Sequence, residues 1–244
     1  MNNHMSLRSS NPVLQSKKFK DNLITKTEGN MTIEGTVNKT GLALMLVIIS
    51  AAYAWNNPVT QNWALPAAIV GFIIALVTVF KPTFSPVTVP IYSIVEGIFL
   101  GAISIFFNKQ YPGIVVQAVF LTFGTLASML VAYKSGLIKV TENFKLGVFA
   151  ATGGIALLYL INFIMSIFGR SIGFITGNSW MGIGFSVFVV IIAALNLVMD
   201  FDFIEEAAEQ GSPKYLEWYG AFGLMVTLIW LYLEILRLLA KIRR

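Results

Sequence analysis

Residues 181–200 read MGIGFSVFVVIIAALNLVMD: nineteen uncharged residues, Met181 to Met199, that end on the carboxylate of Asp200. At about 1.5 Å per helical residue such a run approaches the ~30 Å of a bilayer's hydrocarbon core. It has no polar face, which a helix on the outside of a soluble fold would need. Lipid is therefore the solvent that fits it. The same reading works outward in both directions. Apolar spans are expected at about 42–55, 63–80, 88–107, 114–133, 146–168, 181–203 and 219–240, separated by turn-forming segments such as Asn56-Asn57-Pro58, Lys81-Pro82 and Pro112-Gly113. The fold class is an all-α membrane protein, a bundle of seven transmembrane helices. Residues 1–30, rich in Asn, Ser and Lys without apolar periodicity, are expected to form a flexible cytoplasmic tail, and residues 31–244 the transmembrane domain. The first span is short and extends back past Lys39, whose amine can snorkel.

Composition supports this. Of 244 residues 56% are hydrophobic and 12% charged, against about 25% charged in a soluble domain. The formal net charge of +5 lies mostly in the N-terminal tail and C-terminal tip, where it sets topology or meets anionic lipid; nucleic acid is not an expected partner. The chain has no cysteine, so disulfides and Cys-ligated metals are excluded, and its one histidine, His4, sits in the tail.

Orientation follows from the basic residues. With the N-terminus in the cytoplasm, Arg8, Lys17, Lys18, Lys20, Lys26, Lys39, Lys81, Lys134, Lys139, Lys145 and Lys214 fall inside, and the first three outer turns hold only Lys109 and Arg170. Seven spans put Arg237, Lys241, Arg243 and Arg244 outside, against the rule. Either the last helix tolerates this or one segment is re-entrant; seven spans are preferred.

Carboxylates at depth carry the chemistry. Glu96, near the middle of the third span, is costly in hydrocarbon and has no base at comparable depth. It is either protonated or faces a wet cavity; the plainer alternative is a neutral Glu hydrogen-bonded to a neighbouring helix. Gly97 and Gly101 beside it form a GxxxG pair that permits close helix packing. At the end of the sixth span Asn196 and Asp200 share a helix face, while Asp202, Glu205 and Glu209 form a second line. With Glu206 and Glu217 they make an acidic mouth, either a cation-attracting vestibule or a solvated loop. In the last span Glu234 can pair locally with Arg237, and Thr227 lies on roughly the same face. Asn162 is a further polar group at depth, able to cap a cavity. Trp55, Trp63, Trp180, Trp218 and Tyr219 are expected as interface anchors.

No phosphate-binding Gly loop, HExxH or nucleophile elbow is present. Asp200 and Asp202 are candidate cation contacts through oxygen but spell no EF-hand. They also point about 200° apart on one helix, and the Gly-Asp signature of intramembrane aspartyl proteases is missing. An enzyme is not expected, nor a cofactor.

At these residues the chain resembles the bacterial branch of the Bax inhibitor (transmembrane Bax inhibitor motif) family, over roughly residues 32–242. The resemblance rests on Glu96-Gly97 with Leu100-Gly101, on Asp200-x-x-x-Ile204-x-Glu206, and on Glu217-Trp218-Tyr219 through Trp230-Leu231-Tyr232-Leu233-Glu234-Ile235-Leu236-Arg237. It implies a central last helix wrapped by the others. It also implies a Ca²⁺ leak gated by pH through two aspartates, on the sixth and seventh helices. The first corresponds to Asp200. The second falls at or near Thr227, which cannot ionise, leaving Asp202 or Glu234 as substitutes, or a different gate. Relatives are linked to restraining cell death and to modulating a membrane protease.

The expected function is thus a pH-sensitive calcium (cation) leak pathway in the inner (plasma) membrane, gated by carboxylate protonation. Glu96, Asp200 and Asp202 are the expected sensors. Asn196, Glu206, Thr227, Glu234 and Arg237 are candidates for the gate or ion path. The expected partners are the lipid bilayer, calcium ions as the permeant species and another membrane protein. The alternatives are a proton-coupled transporter carrying its proton on Glu96, and a non-transporting regulator of another membrane protein such as a membrane protease.

Overall fold

The computed structural model describes residues 29–243. The tail expected over 1–30, with His4 and its basic residues, lies outside them except for Gly29 and Asn30, as does Arg244.

Among the described residues the protein is all-helical. Helix α1 spans Ile33–Asn56 and starts nine residues before the expected span, because Thr32 caps it: its Oγ1 accepts from Gly35 N at 2.9 Å. A 3₁₀ segment, Pro58–Trp63, leads into α2, Ala64–Phe80. After a second short 3₁₀ turn comes α3, Ser85–Gln110. The third span, expected at about 88–107, starts three residues earlier, so that Pro86 as well as Pro90 lies inside α3. Pro86 sits in the first turn, where its missing N–H costs nothing, and Pro90 forgoes only one early bond. Helix α4 is Ile114–Lys134. Helix α5, Glu142–Ile167, is capped by Thr141, whose Oγ1 accepts from Phe144 N. A Gly-rich connection with one helical turn, Gly173–Thr176, precedes α6, Trp180–Glu209, which Ser179 caps. Helix α7 is Leu216–Ile242.

Six of these helices are long and apolar enough to cross a membrane; α2, at 17 residues, is shorter. Their outward faces are apolar: Phe72 on α2, Phe120 on α4, and Phe149 and Phe163 on α5 are all exposed. The chain is a multi-pass membrane protein, since lipid alone makes such surfaces stable. The core gathers around α7, which packs against α1, α3, α4 and α6 and buries Phe222, Met225, Leu228, Leu231, Ile235 and Leu236.

Helices α1 and α3 run parallel in close contact, and the GxxxG pair is the reason. A Cβ on Gly97 would lie 2.5 Å from Val47 O, and one on Gly101 2.5 Å from Ala51 O. The start of α1 is tied to the α6–α7 turn: Met31 N donates to Ser212 O at 2.7 Å, and Asn30 bridges Pro213. At the far end, Arg243 donates to Pro112 O at 3.0 Å and Gln117 Oε1 at 2.7 Å, beside the α3–α4 turn. Because α3 runs with α1, α7 finishes at the end of the bundle opposite to where α1 starts.

Gly97→Leu or Gly101→Leu should push α1 and α3 apart and lower stability by about 1–3 kcal/mol. Gly124→Ala, where a Cβ meets open space, should be neutral. Thermal unfolding in detergent compares them, and equal midpoints for Gly97→Leu and wild type would refute the packing role.

Candidate functional site

Helices α6 and α7 pack closely, and Asp200 of α6 lies in their contact. It faces Gly223, where a Cβ would stand 3.4 Å from Oδ1, so the glycine makes room for the carboxyl. Thr227, one turn further along α7, lies beside Asp200. The other oxygen, Oδ2, is buried with no hydrogen-bond partner. Leaving a buried acceptor unpaired costs about 1–3 kcal/mol.

Glu96 approaches from α3. It is 8% exposed and seats against Gly71 of α2, where a Cβ would come 2.4 Å from Oε1. Glu96, Asp200 and Thr227 line one cavity of about 840 Å³ between α2, α3, α6 and α7, together with Tyr92, Tyr219 and several apolar side chains. Three residues singled out in the sequence, on three different helices, thus meet at one place.

The other candidates go elsewhere. Asn196 shares a face with Asp200, yet its amide donates to Thr152 Oγ1 on α5 at 2.8 Å and to Ile192 O at 2.9 Å. Asp202 pairs with Lys145 of α5 at 2.9 Å. The same ammonium lies 3.7 Å from Glu206 and 3.8 Å from Glu142. Glu206 also accepts from Gln210 at 3.0 Å, and Glu205 accepts from the Tyr133 hydroxyl. The acidic end of α6 is therefore partly neutralised by α5, through pairs that solvent screens.

Glu234 and Arg237 form the expected local pair, at 2.7 Å, completed by Tyr159 of α5. The Tyr159 hydroxyl donates to Glu234 Oε2 at 3.0 Å and accepts from Arg237 Nη1 at 2.8 Å. Glu234 is 1% exposed. Each of the proposed substitutes for a second acid beside Asp200, Asp202 and Glu234, is thus committed to a cation of its own. Asn162 Oδ1 accepts from Ile172 N at 2.9 Å and secures the α5–α6 connection.

Sequence reasoning missed one buried pair. Lys39 of α1 does not snorkel: it donates to Glu217 Oε2, while Thr32 N and Oγ1 both donate to Glu217 Oε1 at 3.0 Å. Glu217 is 2% exposed. The only signal available was that a lysine inside an apolar run needs an acid at equal depth, and the partner is 178 residues away. Two expected interface aromatics also turn inward. Trp218 lies under Lys39 Nζ, 5.8 Å from the ring centroid, and Tyr219 packs on Phe222 and Phe203.

Two carboxylates and a hydroxyl fall short of the six to eight oxygens of a tight Ca²⁺ site. Among the described residues no group of three or more His, Cys, Asp or Glu is placed to hold a metal ion.

A family model described as Bax inhibitor 1 like matches residues 11–244. No curated protein matches the chain.

Arg237→Met would strand Glu234 with only a tyrosine, at a cost of about 3 kcal/mol, and adding Glu234→Gln should restore part of the loss. Thermal midpoints of the two variants test this; an unshifted midpoint for Arg237→Met would show that the triad is not structural.

Proposed function

The chain belongs to the Bax inhibitor 1-like family, and from that premise we propose that it is a passive, pH-sensitive leak pathway for calcium and related cations across the inner (plasma) membrane. The observation that carries this reading is the pair of cation-free carboxyls, Glu96 and Asp200, on one cavity between four helices.

The pathway runs through a bundle of seven spans with the last helix at its centre. Contacts of α7 with four other helices support the central position. Helix α2 is the seventh span: at about 1.5 Å per residue it covers ~26 Å, a shortfall that local thinning of the bilayer absorbs. The cytoplasmic end is the one bearing Lys39, Lys81, Lys134, Lys139, Lys145 and Lys214. The basic residues at the other end do not contradict this. Arg237 is held by Glu234 and Tyr159, Lys241 donates to Gly182 O at 3.0 Å, and Arg243 caps the α3–α4 turn. Their place is fixed by contacts within the protein.

Asp200 is the latch. Protonated, it is neutral where no cation faces it, and can donate a hydrogen bond across the α6–α7 contact. Ionised, it puts a charge with an unpartnered buried oxygen into that contact. The other titratable groups on the cavity, Tyr92 and Tyr219, supply no compensating positive charge. The α6–α7 seam therefore loosens as the carboxyls lose their protons, and flux rises from acid towards neutral pH. The path works without covalent chemistry or a bound cofactor. Glu96 fills the role for which Thr227 is unsuited and for which Asp202 and Glu234 are already spent.

Calcium entry into proteoliposomes across pH tests this. Wild type should show a several-fold rise from acid to neutral pH. Asp200→Asn should flatten the response and Glu96→Gln should shift it, while Arg237→Lys should retain it. A flat wild-type profile, or an Asp200→Asn profile superimposable on wild type, would remove the reading.

A further inference from the structure

The cavity that holds Glu96 and Asp200 is much larger than an ion path needs. Its volume of about 840 Å³ falls within the ~300–1,000 Å³ of small-molecule sites, whereas one water takes about 30 Å³. Its walls are apolar and aromatic: Phe72, Tyr92, Phe99, Phe203, Tyr219 and Trp230 all line it. Some of these rings form a connected wall, with Tyr92 5.2 Å from Phe222, and Tyr219 6.2 Å from both Phe222 and Phe203. Aromatic faces attract cations and accept apolar bodies equally well.

The polar groups narrow the ligand further. Asp200 brings one acid to the lining, and among the described residues its Oδ2 is buried with no hydrogen-bond partner. Glu96 adds a second acid, and no basic side chain lines the cavity. A lipid tail would leave both acids without a partner, and a bare metal ion would find too few ligands. A positively charged N–H donor attached to an apolar group satisfies both the acids and the rings. The rim residues Phe72, Val79 and Phe203 are 64%, 48% and 42% exposed, on the surface that faces lipid, where amphiphilic amines accumulate.

We propose that the cavity between α2, α3, α6 and α7 is a binding site for a small organic ammonium ion with an apolar body, drawn by the two acids of the lining, Asp200 and Glu96, with its body against the aromatic wall. The site shares its acids with the leak path proposed above but does not depend on conduction. An occupant there would fill the path and hold α6 against α7, so it would also block the leak.

Calorimetric titration of the purified full chain in detergent at neutral pH tests this, with phenethylammonium as the probe and 2-phenylethanol as its neutral counterpart. Phenethylammonium should bind saturably and the alcohol at least about tenfold more weakly, as expected for a charge-assisted hydrogen bond worth about 1.5–3 kcal/mol. Asp200→Asn and Glu96→Gln should each weaken the ammonium by a similar factor, and Gly124→Ala, on α4, should leave it unchanged. If a carboxylate variant does not fold, Phe203→Ala must weaken binding several-fold. Absence of saturable binding, equal affinity for both probes, or affinity unchanged in the cavity variants would overturn the proposal. Calcium flux measured on the same preparations separates the two ideas: ammonium binding without any leak keeps this site and removes the pathway, while a leak without ammonium binding removes the site alone.

Discussion

A carboxylate carried into a bilayer needs a partner, and how this chain meets that need sorts its buried acids into two kinds. Glu217 has Lys39 and Thr32; Glu234 has Arg237 and Tyr159. Both are almost fully buried, and both tie α7 to another helix. Glu96 and Asp200 form no ion pair among the described residues. They meet a glycine, a threonine and a cavity instead. Paired acids are structural, because removing either partner strands a charge. Unpaired ones carry no such structural tie to a cation, which is why the proposed gate and the proposed binding site are both placed on them.

The same division explains the geometry around α7. Its first turn is fixed to α1 through Glu217, and its last turns to α5, α6 and the α3–α4 turn through Arg237, Lys241 and Arg243. Between these anchors lies the stretch with Gly223 and Thr227, where α6 approaches and Asp200 sits. The α1–α3 pair, closed by Gly97 and Gly101, gives Glu96 a rigid base on the other side of the cavity.

The cavity's size and its two acids bear on what passes through or lodges there. Weak, incomplete coordination favours passage over retention. Aromatic walls favour an organic body over a bare ion. Both readings draw on the same two carboxyls, which is why charge-neutral substitutions at Glu96 and Asp200 are informative for each.

Much of this was legible in the sequence. The long uncharged runs fixed the helical, membrane-embedded class, since only internally hydrogen-bonded segments survive in hydrocarbon. The same contrast of charge against apolar surroundings exposed Glu96 and Asp200 as unusual, and the three-residue spacing of Glu234 and Arg237 disclosed their pair. Helix ends moved where a cap such as Thr32 or a tolerated proline such as Pro86 outweighed hydropathy. What one-dimensional reading could not decide was which distant groups share a depth and an azimuth. Lys39 finds Glu217, Lys145 takes Asp202, and Asn196 turns to Thr152 while Asp200, one turn on, turns to Thr227. These choices follow from the angle at which helices cross and from where glycines let them touch, and only the packed bundle sets those.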